Sequence, residues 1–309
     1  MIDAEILGQA LDWHAQGMDT ALATLAAGSA GKARMHGSLF AFTTSGRRLG
    51  SITSGCAEDA LTQRLAEGDF RRATRLCFGA RRGRLALPCG DFVEVVVEPL
   101  RAGDGLRAVA AALTRGESPV RMLDLDTGVV QLRDHGPDFA YDGRTLVRRF
   151  GPSLRLLLIG AGDVSHHLAC FAPALGYRVR VCEPRAALRA TWRVREARLD
   201  PRMPDDAVKA LADARTAVLA LSHDPRLDDL AMEAALASPA FYVGAMGSPK
   251  ASALRRERLA MIGVSEAALA RLHAPVGLPI GSHGAAEIAV AILAHLVAVR
   301  RDAPITASQ

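Results

Sequence analysis

Lysine is nearly absent from this 309-residue chain, occurring only at 32, 209 and 250, although Lys and Arg together number 38 against 33 Asp and Glu. The net charge of +5 is therefore carried by arginine scattered along the chain, a pattern that the base composition of a genome can produce by itself. Aromatic residues make up only 5% of the sequence, too few for base-stacking platforms, and no recognition motif is present, so nucleic acid is not an expected partner. Long apolar runs are missing too. The longest, "IAVAILAHLVAV" at 288–299, is interrupted by His295 and is too short to cross a bilayer, which argues against a membrane protein. It reads as a buried helix, and an all-round apolar helix would serve equally as a homodimer contact. The cysteines, at 56, 77, 89, 170 and 182, are odd in number and lack CxxC or Cys/His ligand spacing, which excludes a disulfide framework and a zinc site. The first residues lack a basic segment followed by an apolar core and a small-residue cleavage site, so a reducing cytoplasm is the expected compartment.

Half the residues are apolar, enough for two ordinary domains with their own cores. Ile6, Leu7, Ala10 and Leu11 follow helical spacing, whereas Thr20–Leu25 fits either a helix end or a strand. Short strands are expected at 38–44 and 49–52, a helix over 57–68 ended by Gly68, and strands on both sides of the Pro-Cys-Gly-Asp turn at 88–91. This gives an α+β N-terminal domain over 1–101 and a connecting segment over 102–152 with a helix in "LRAVAAALTRG", two short β segments in "VRMLDLDTG" and "GVVQLRD" and a glycine- and proline-bearing run, with a boundary near Gly151–Pro152. Residues 153–309 change character. Apolar strands alternate with helices, the pattern of a Rossmann-like doubly wound parallel sheet, so the fold class is α/β.

In this second half, "LRLLLIGAGDVSHHL" places Gly160 and Gly162 between an unbroken apolar strand and a helix. The first glycine permits the sharp turn and the second lets backbone approach a pyrophosphate. Ser165 holds the third glycine position. Glu183 follows about twenty residues later, where an acid would bind ribose hydroxyls, and Arg185 two residues on leaves NAD and NADP both open. A pair of glycines also serves simply to make a tight turn. Two more loops fall on the carboxyl edge of such a sheet: Ser222-His223-Asp224 and Gly244-Ala245-Met246-Gly247-Ser248. His223 there is either an acid/base or anion-binding group or a solvated side chain. Gly244, Gly247 and Ser248, with Lys250, offer an anion cradle. No catalytic set can be assigned, because no Ser-His-Asp or Cys-His arrangement follows from the spacing.

The stretch "RRLGSITSGCAEDAL" at 47–61 raises a separate question. Cys56, at a predicted helix start and downstream of Arg47 and Arg48, is positioned for thiolate character. No histidine is placed to activate it as a nucleophile. The glycines and hydroxyls suit holding an anion, while a small buried packing residue is the plain alternative.

Taken together, "GSITSGCAED", "LPCGDFVEVVVEPL", "LLLIGAGDVSHHL", "LSHDPRLD", "FYVGAMGSPKASALRRERL" and "APVGLPIGSHGAAEIAVAI" resemble, in order and over about residues 20–300, the XdhC/CoxI family of xanthine dehydrogenase accessory proteins. The resemblance implies a chaperone that binds the molybdenum cofactor, as molybdopterin or its cytidine dinucleotide form, supports its sulfuration and delivers it to an apo-molybdenum hydroxylase. A cysteine desulfurase or cofactor nucleotidyltransferase would be a further partner. The family's first motif falls on Ser51, Ser54, Gly55, Cys56 and Glu58, with Ser54 where a glycine is usual. Its Cys-Gly-Gly turn falls on Cys89, with Asp91 at the last position, and "GSAGK" at 28–32 lacks the family's proline and arginine. Cys56 would be the soft contact to the molybdenum or sulfur of the cofactor. The competing reading is an NAD-dependent oxidoreductase built on the glycine turn and Glu183.

Overall fold

A computed structural model describes residues 3–29, 36–53, 57–68, 72–79, 92–101 and 104–303. The chain divides into two compact units, Met1–Gly151 and Pro152–Gln309.

In the first unit, α1 (Asp3–Ala15) leads into β1 (Thr20–Gly28), β2 (Leu39–Thr43) and β3 (Arg48–Gly50). Then come α2 (Glu58–Ala66), β4 (Thr74–Phe78) and β5 (Val93–Pro99). The strands form one antiparallel sheet in the order β3-β2-β1-β5-β4. The ambiguous Thr20–Leu25 stretch is a strand. It occupies the centre of the sheet and is buried on both faces, so it shows neither the period of two nor the period of 3.6 that separates strand from helix. One face packs Ala21, Phe40, Phe42 and Val95 against Leu61 and Leu65 of α2. The other packs Leu22 and Leu39 against Ile6, Leu7 and Trp13 of α1, and against Leu106 and Val109 of α3 (Leu106–Thr114).

The 102–152 stretch, expected as a connecting segment with one helix and two β segments, contributes α3 and two further strands to this unit. Four strands, β6 (Val120–Asp124), β7 (Val130–Arg133), β8 (Phe139–Tyr141) and β9 (Thr145–Arg149), make a second antiparallel sheet ordered β7-β6-β9-β8. Its last two strands lie in a glycine- and proline-bearing run whose three- and five-residue strands are too short to register as periodic. Leu123 and Leu146 pack on Ala26 and Val96 of the first sheet. Beside them lies a buried ion pair: Arg121 donates from Nη2 to Glu98 Oε2 at 2.6 Å and from Nη1 to Oε1 at 3.1 Å, while its Nε reaches the Asp104 carbonyl at 3.0 Å. The Arg121 and Glu98 side chains are only 4% and 6% exposed.

The second unit is built from β10 (Leu154–Ile159), α4 (Asp163–Phe171), β11 (Tyr177–Cys182), α5 (Ala186–Thr191), β12 (Arg198–Asp200), α6 (Pro204–Leu211) and β13 (Thr216–Ala220). It continues with α7 (Pro225–Ala237), β14 (Tyr242–Ala245), α8 (Pro249–Met261), α9 (Glu266–Leu269), β15 (Leu272–His273) and α10 (Gly284–Arg300). All six strands are parallel, in the order β12-β11-β10-β13-β14-β15. This is the doubly wound arrangement, with its order reversing between β10 and β13. Leu156, Leu158 and Val179 face α4 and α10, while Leu157, Ile159 and Val218 face α6, α7 and α8. Burial on both faces is what makes the strands read as unbroken apolar runs. Ile292, Leu293 and Leu296 place α10 in this core, and His295 is buried with them. Among the described residues no helix is long and apolar enough to cross a membrane.

The buried Glu98–Arg121 pair makes a prediction about the first unit. Arg121→Ala strands a buried carboxylate and should cost about 3 kcal/mol or more in a chemical denaturation experiment. The double variant Glu98→Leu/Arg121→Met, which removes both charges, should recover much of that loss.

Candidate functional site

The glycine turn, Ser165, Glu183, Arg185, His223 and the 244–248 segment all fall at the carboxyl ends of β10, β11, β13 and β14, so the parallel register gathers them on one edge. Backbone bonds tie these ends together: Gly160 N–H to Cys182 C=O, Leu221 N–H to Ile159 C=O, and Met246 N–H to Ala220 C=O, each at 2.9 Å. Helices α4, α7 and α8 begin here, so the positive ends of three helix dipoles converge on the edge and favour an anion.

Each of these residues has its own surroundings in the fold. Gly160 has φ +100°, and a Cβ on it would lie 2.6 Å from the Ser222 Cα, so its glycine is required by the neighbouring loop. Gly162 faces open space and caps α4. Ser165 is fully buried and donates to the Gly160 carbonyl at 2.6 Å, closing the turn from within. Glu183, expected to meet a ribose, is fully buried and already occupied. It accepts from the Ala161 N–H at 3.1 Å, the Arg185 N–H at 3.0 Å and the Arg185 guanidinium at 2.7 and 2.8 Å. Burial pushes its carboxyl up, but these donors outweigh burial and hold it below the usual range. A dinucleotide ribose would have to displace Arg185 to reach it. Gly244, expected in an anion cradle, is a packing residue: a Cβ there would lie 2.7 Å from both the Tyr242 ring and Val276 Cγ2.

The two loops after β13 and β14 end in the same device. Asp224 and Ser248 each cap a helix whose next residue is proline, accepting from the N–H of Arg226 at 3.0 Å and of Ala251 at 3.2 Å. Ser248 is thus engaged within its own helix, and Gly247 at φ +157° lets the chain enter it. His223 is exposed with φ +60°, in the left-handed region. Lys250 is exposed as well.

Sequence reasoning missed what fastens these loops. Arg255 of α8 is buried and donates to Asp228 Oδ2 at 3.0 Å, to Asp229 Oδ1 at 3.1 Å and to the Met246 carbonyl at 3.1 Å. Asp228 in turn accepts from the Ser222 hydroxyl at 2.6 Å and the Ser222 N–H at 3.2 Å. Within "ALRRER" nothing distinguishes the buried Arg255 from the half-buried Arg256 and Arg258 until the helix is docked. Behind β14, Tyr242 stacks on His273 with ring centroids 4.4 Å apart and bonds His295 Nδ1 at 2.9 Å. Burial first, and then the His295 and Arg256 charges, push His273 down to about 4 from its ordinary 6.5, and burial also lowers His295.

In the first unit, Glu58 is buried at the start of α2. It accepts from the Ser51 hydroxyl at 2.8 Å, from the Ile52 and Thr53 N–H groups at 2.9 Å, and from the Thr53 hydroxyl. Burial raises its carboxyl, yet the Thr53, Ile52 and Ser51 donors overcome that and hold it at about 2. Ser51 and Glu58, both expected to touch a cofactor, are thus bonded to each other. They shape the chain on either side of Ser54, Gly55 and Cys56. Those three residues and Cys89 lie outside the described residues, as does the expected Cys56 contact to metal. Among the described residues no group of three or more His, Cys, Asp or Glu is placed to hold a metal ion.

These features define a protein with an antiparallel α+β unit followed by a Rossmann-type unit whose carboxyl edge is built around fastened loops. A model of the XdhC Rossmann domain matches residues 156–296, and one of the XdhC and CoxI family matches residues 13–77. The chain belongs to the XdhC and CoxI family. It is 26% identical over 298 residues to the molybdenum cofactor insertion chaperone PaoD of Escherichia coli strain K12, covering 96% of this chain and 88% of that protein. It is 25% identical over 320 residues to a probable xanthine dehydrogenase subunit of Bacillus subtilis strain 168, covering 92% and 94%. The crystal structure of a xanthine dehydrogenase from Bacillus halodurans matches with a TM-score of 0.74 and 21% identity, over 100% and 98% of the two chains, and shares the fold.

Two measurements check this description. Gly160→Ala should lower stability by about 2 kcal/mol or more in denaturant, from the left-handed backbone and the collision with Ser222. The second concerns pH. Because the folded His273 value lies below its unfolded one, its contribution is complete above about 6.5 and is lost as pH falls toward 4. The denaturation midpoint should therefore drop across that window, and His273→Phe, which keeps the ring stack, should flatten the drop.

Proposed function

We propose that this protein is a molybdenum cofactor insertion chaperone: it binds the cofactor as cargo, supports its sulfuration, and hands it to an apo-molybdenum hydroxylase of the xanthine or aldehyde dehydrogenase type. The observation that carries the reading is the relationship to the E. coli molybdenum cofactor insertion chaperone along 96% of this chain, both units included. Cargo of this kind is anionic through its phosphate and soft through its sulfur and metal, so a holder needs hydrogen-bond donors beside a thiol. Ser54, Gly55, Cys56 and Cys89 supply that chemistry, with Cys56 as the soft contact. Ser51 and Glu58 act as positioning residues, because the Glu58 carboxylate takes the Ser51, Ile52 and Thr53 donors and so sets the chain leading to Ser54. A cysteine desulfurase or cofactor nucleotidyltransferase is the proposed source of sulfur or of the dinucleotide form, and the cytoplasm the proposed compartment.

The Rossmann-type unit supports this reading through its anion-favouring carboxyl edge, where Gly162 and His223 are exposed. The residues present fit a phosphate group there better than a whole NAD, because Arg185 and Ala161 already hold Glu183. The oxidoreductase reading draws no support from any acid/base pair at this edge.

Purified protein should copurify with, or retain on addition, a molybdopterin detectable by its ultraviolet-visible and mass spectra, and should raise the activity of an apo-molybdenum hydroxylase. Cys56→Ser should lose cofactor retention with an unchanged Tm. Failure of both retention and activation would sink the proposal, and a Cys56→Ser variant that is destabilised instead would reassign Cys56 to packing.

A further inference from the structure

Three helices start at the carboxyl edge, and the charges of their first turns separate them. Asp163 opens α4, and Asp224 and Asp228 stand at the start of α7. The first turn of α8 carries no acid, and Lys250 lies exposed within it. A carboxylate beside a helix N-terminus already uses the positive end of the dipole, whereas a start without one favours an anion from outside. In α8 the Ser248 hydroxyl takes the Ala251 N–H at 3.2 Å, and Pro249 has no N–H to offer. The Ser248 and Lys250 N–H groups are left without an intrahelical acceptor.

A second observation points to the same place. Ser252 sits one turn further along α8, and side chains on a helix tilt toward its N-terminus. It is 3% exposed, and among the described residues its Oγ has no hydrogen-bond partner. The hydroxyl lies under Gly247: a Cβ there would be 3.8 Å from Ser252 Oγ and 3.4 Å from Ala251 Cβ. Glycine at 247 therefore keeps clear the space between this hydroxyl and the helix start. Leaving a buried hydroxyl unpaired costs stability, and an oxyanion that accepts from it removes the cost. Arg255 holds the turn from below by donating to the Met246 carbonyl at 3.1 Å, so the donors are in position before a ligand arrives.

We propose that the start of α8 is a phosphate subsite: the phosphate group of the cofactor accepts from the Ser252 hydroxyl and from the Ser248 and Lys250 N–H groups, with the Lys250 ammonium closing over it. The inference rests on the cargo reading for the identity of the ligand, and on Ser252 and the helix start for the site. It moves the phosphate from the glycine turn before α4, where the sequence pattern puts it, to the loop after β14.

Calorimetric titration of the full chain with sodium phosphate, and separately with cytidine 5′-monophosphate, tests the site at an ionic strength held constant with sodium chloride. Phosphate should bind saturably. Ser252→Ala should weaken it about tenfold or more and leave the Tm of the phosphate-free protein unchanged or higher, because the hydroxyl it removes is unpaired there. Lys250→Gln, an exposed change that leaves the core untouched, should weaken it about two- to fivefold and flatten its salt dependence. The monophosphate should compete with phosphate and show the same dependence on Ser252; binding of phosphate alone would make this a site for the free anion and remove the cargo from it. Absence of saturable binding, or unchanged affinity in both variants, would overturn the proposal. The cargo reading is separable. A parent protein that binds phosphate but retains no molybdopterin would sink that reading alone, whereas molybdopterin retention by Ser252→Ala equal to the parent's would overturn the subsite and leave Cys56 in its role.

Discussion

Arg255 is the fastening on which the carboxyl edge of the second unit depends. A parallel sheet delivers its loops to one edge, but delivery does not fix their conformation. One guanidinium reaching Asp228, Asp229 and the Met246 carbonyl joins the loop after β13 to the loop after β14, and Ser222 extends the same network toward the glycine turn. Buried charges are tolerated when each is paired and hydrogen-bonded, and removing one partner is costly because the other stays behind. The glycine turn, the Ser222 loop and the start of α8 therefore behave as a single built object.

The first unit solves a comparable problem with carboxylates. Glu98 accepts the Arg121 fork at the junction of its two sheets, and Glu58 gathers three consecutive residues around the start of α2. Both acids are buried and turn their oxygens toward donors of the fold itself. In each case backbone and side-chain donors that burial would leave unsatisfied find a charged acceptor, which is the stronger form of hydrogen bond.

Much of the second unit was legible in the sequence, because strands buried on both faces spell themselves as apolar runs and the glycine turn sits where a βαβ unit needs it. β12 and β15 escaped notice, being three and two residues long and recognisable only by their pairing. In the first unit, the double burial of β1 erased the period that would have identified it, and β8 and β9 are short strands within a run of turn residues. For the candidate site, the sequence names positions but not the partners that the fold gives them. Ser165, Glu183, Gly244 and Ser51 were assigned to a ligand by motif, whereas each has a partner inside the fold. Such partners come from other elements, Ser222 for Gly160 and Val276 for Gly244, and no local pattern in the chain encodes them. The arginines of β10 to β12 illustrate the converse, since Arg155, Arg178, Arg180 and Arg198 become neighbours only through strand register.

The fastened loops also bear on how a ligand would pay for its own capture. Glu183 holds the glycine turn, Asp228 holds the Ser222 loop, and Ser248 and Asp224 cap the helices that follow. An incoming anion at this edge therefore meets a surface whose conformational entropy has already been given up during folding. The remaining cost falls on the ligand's own translation, rotation and internal torsions, which favours a compact, stiff guest over a long flexible one.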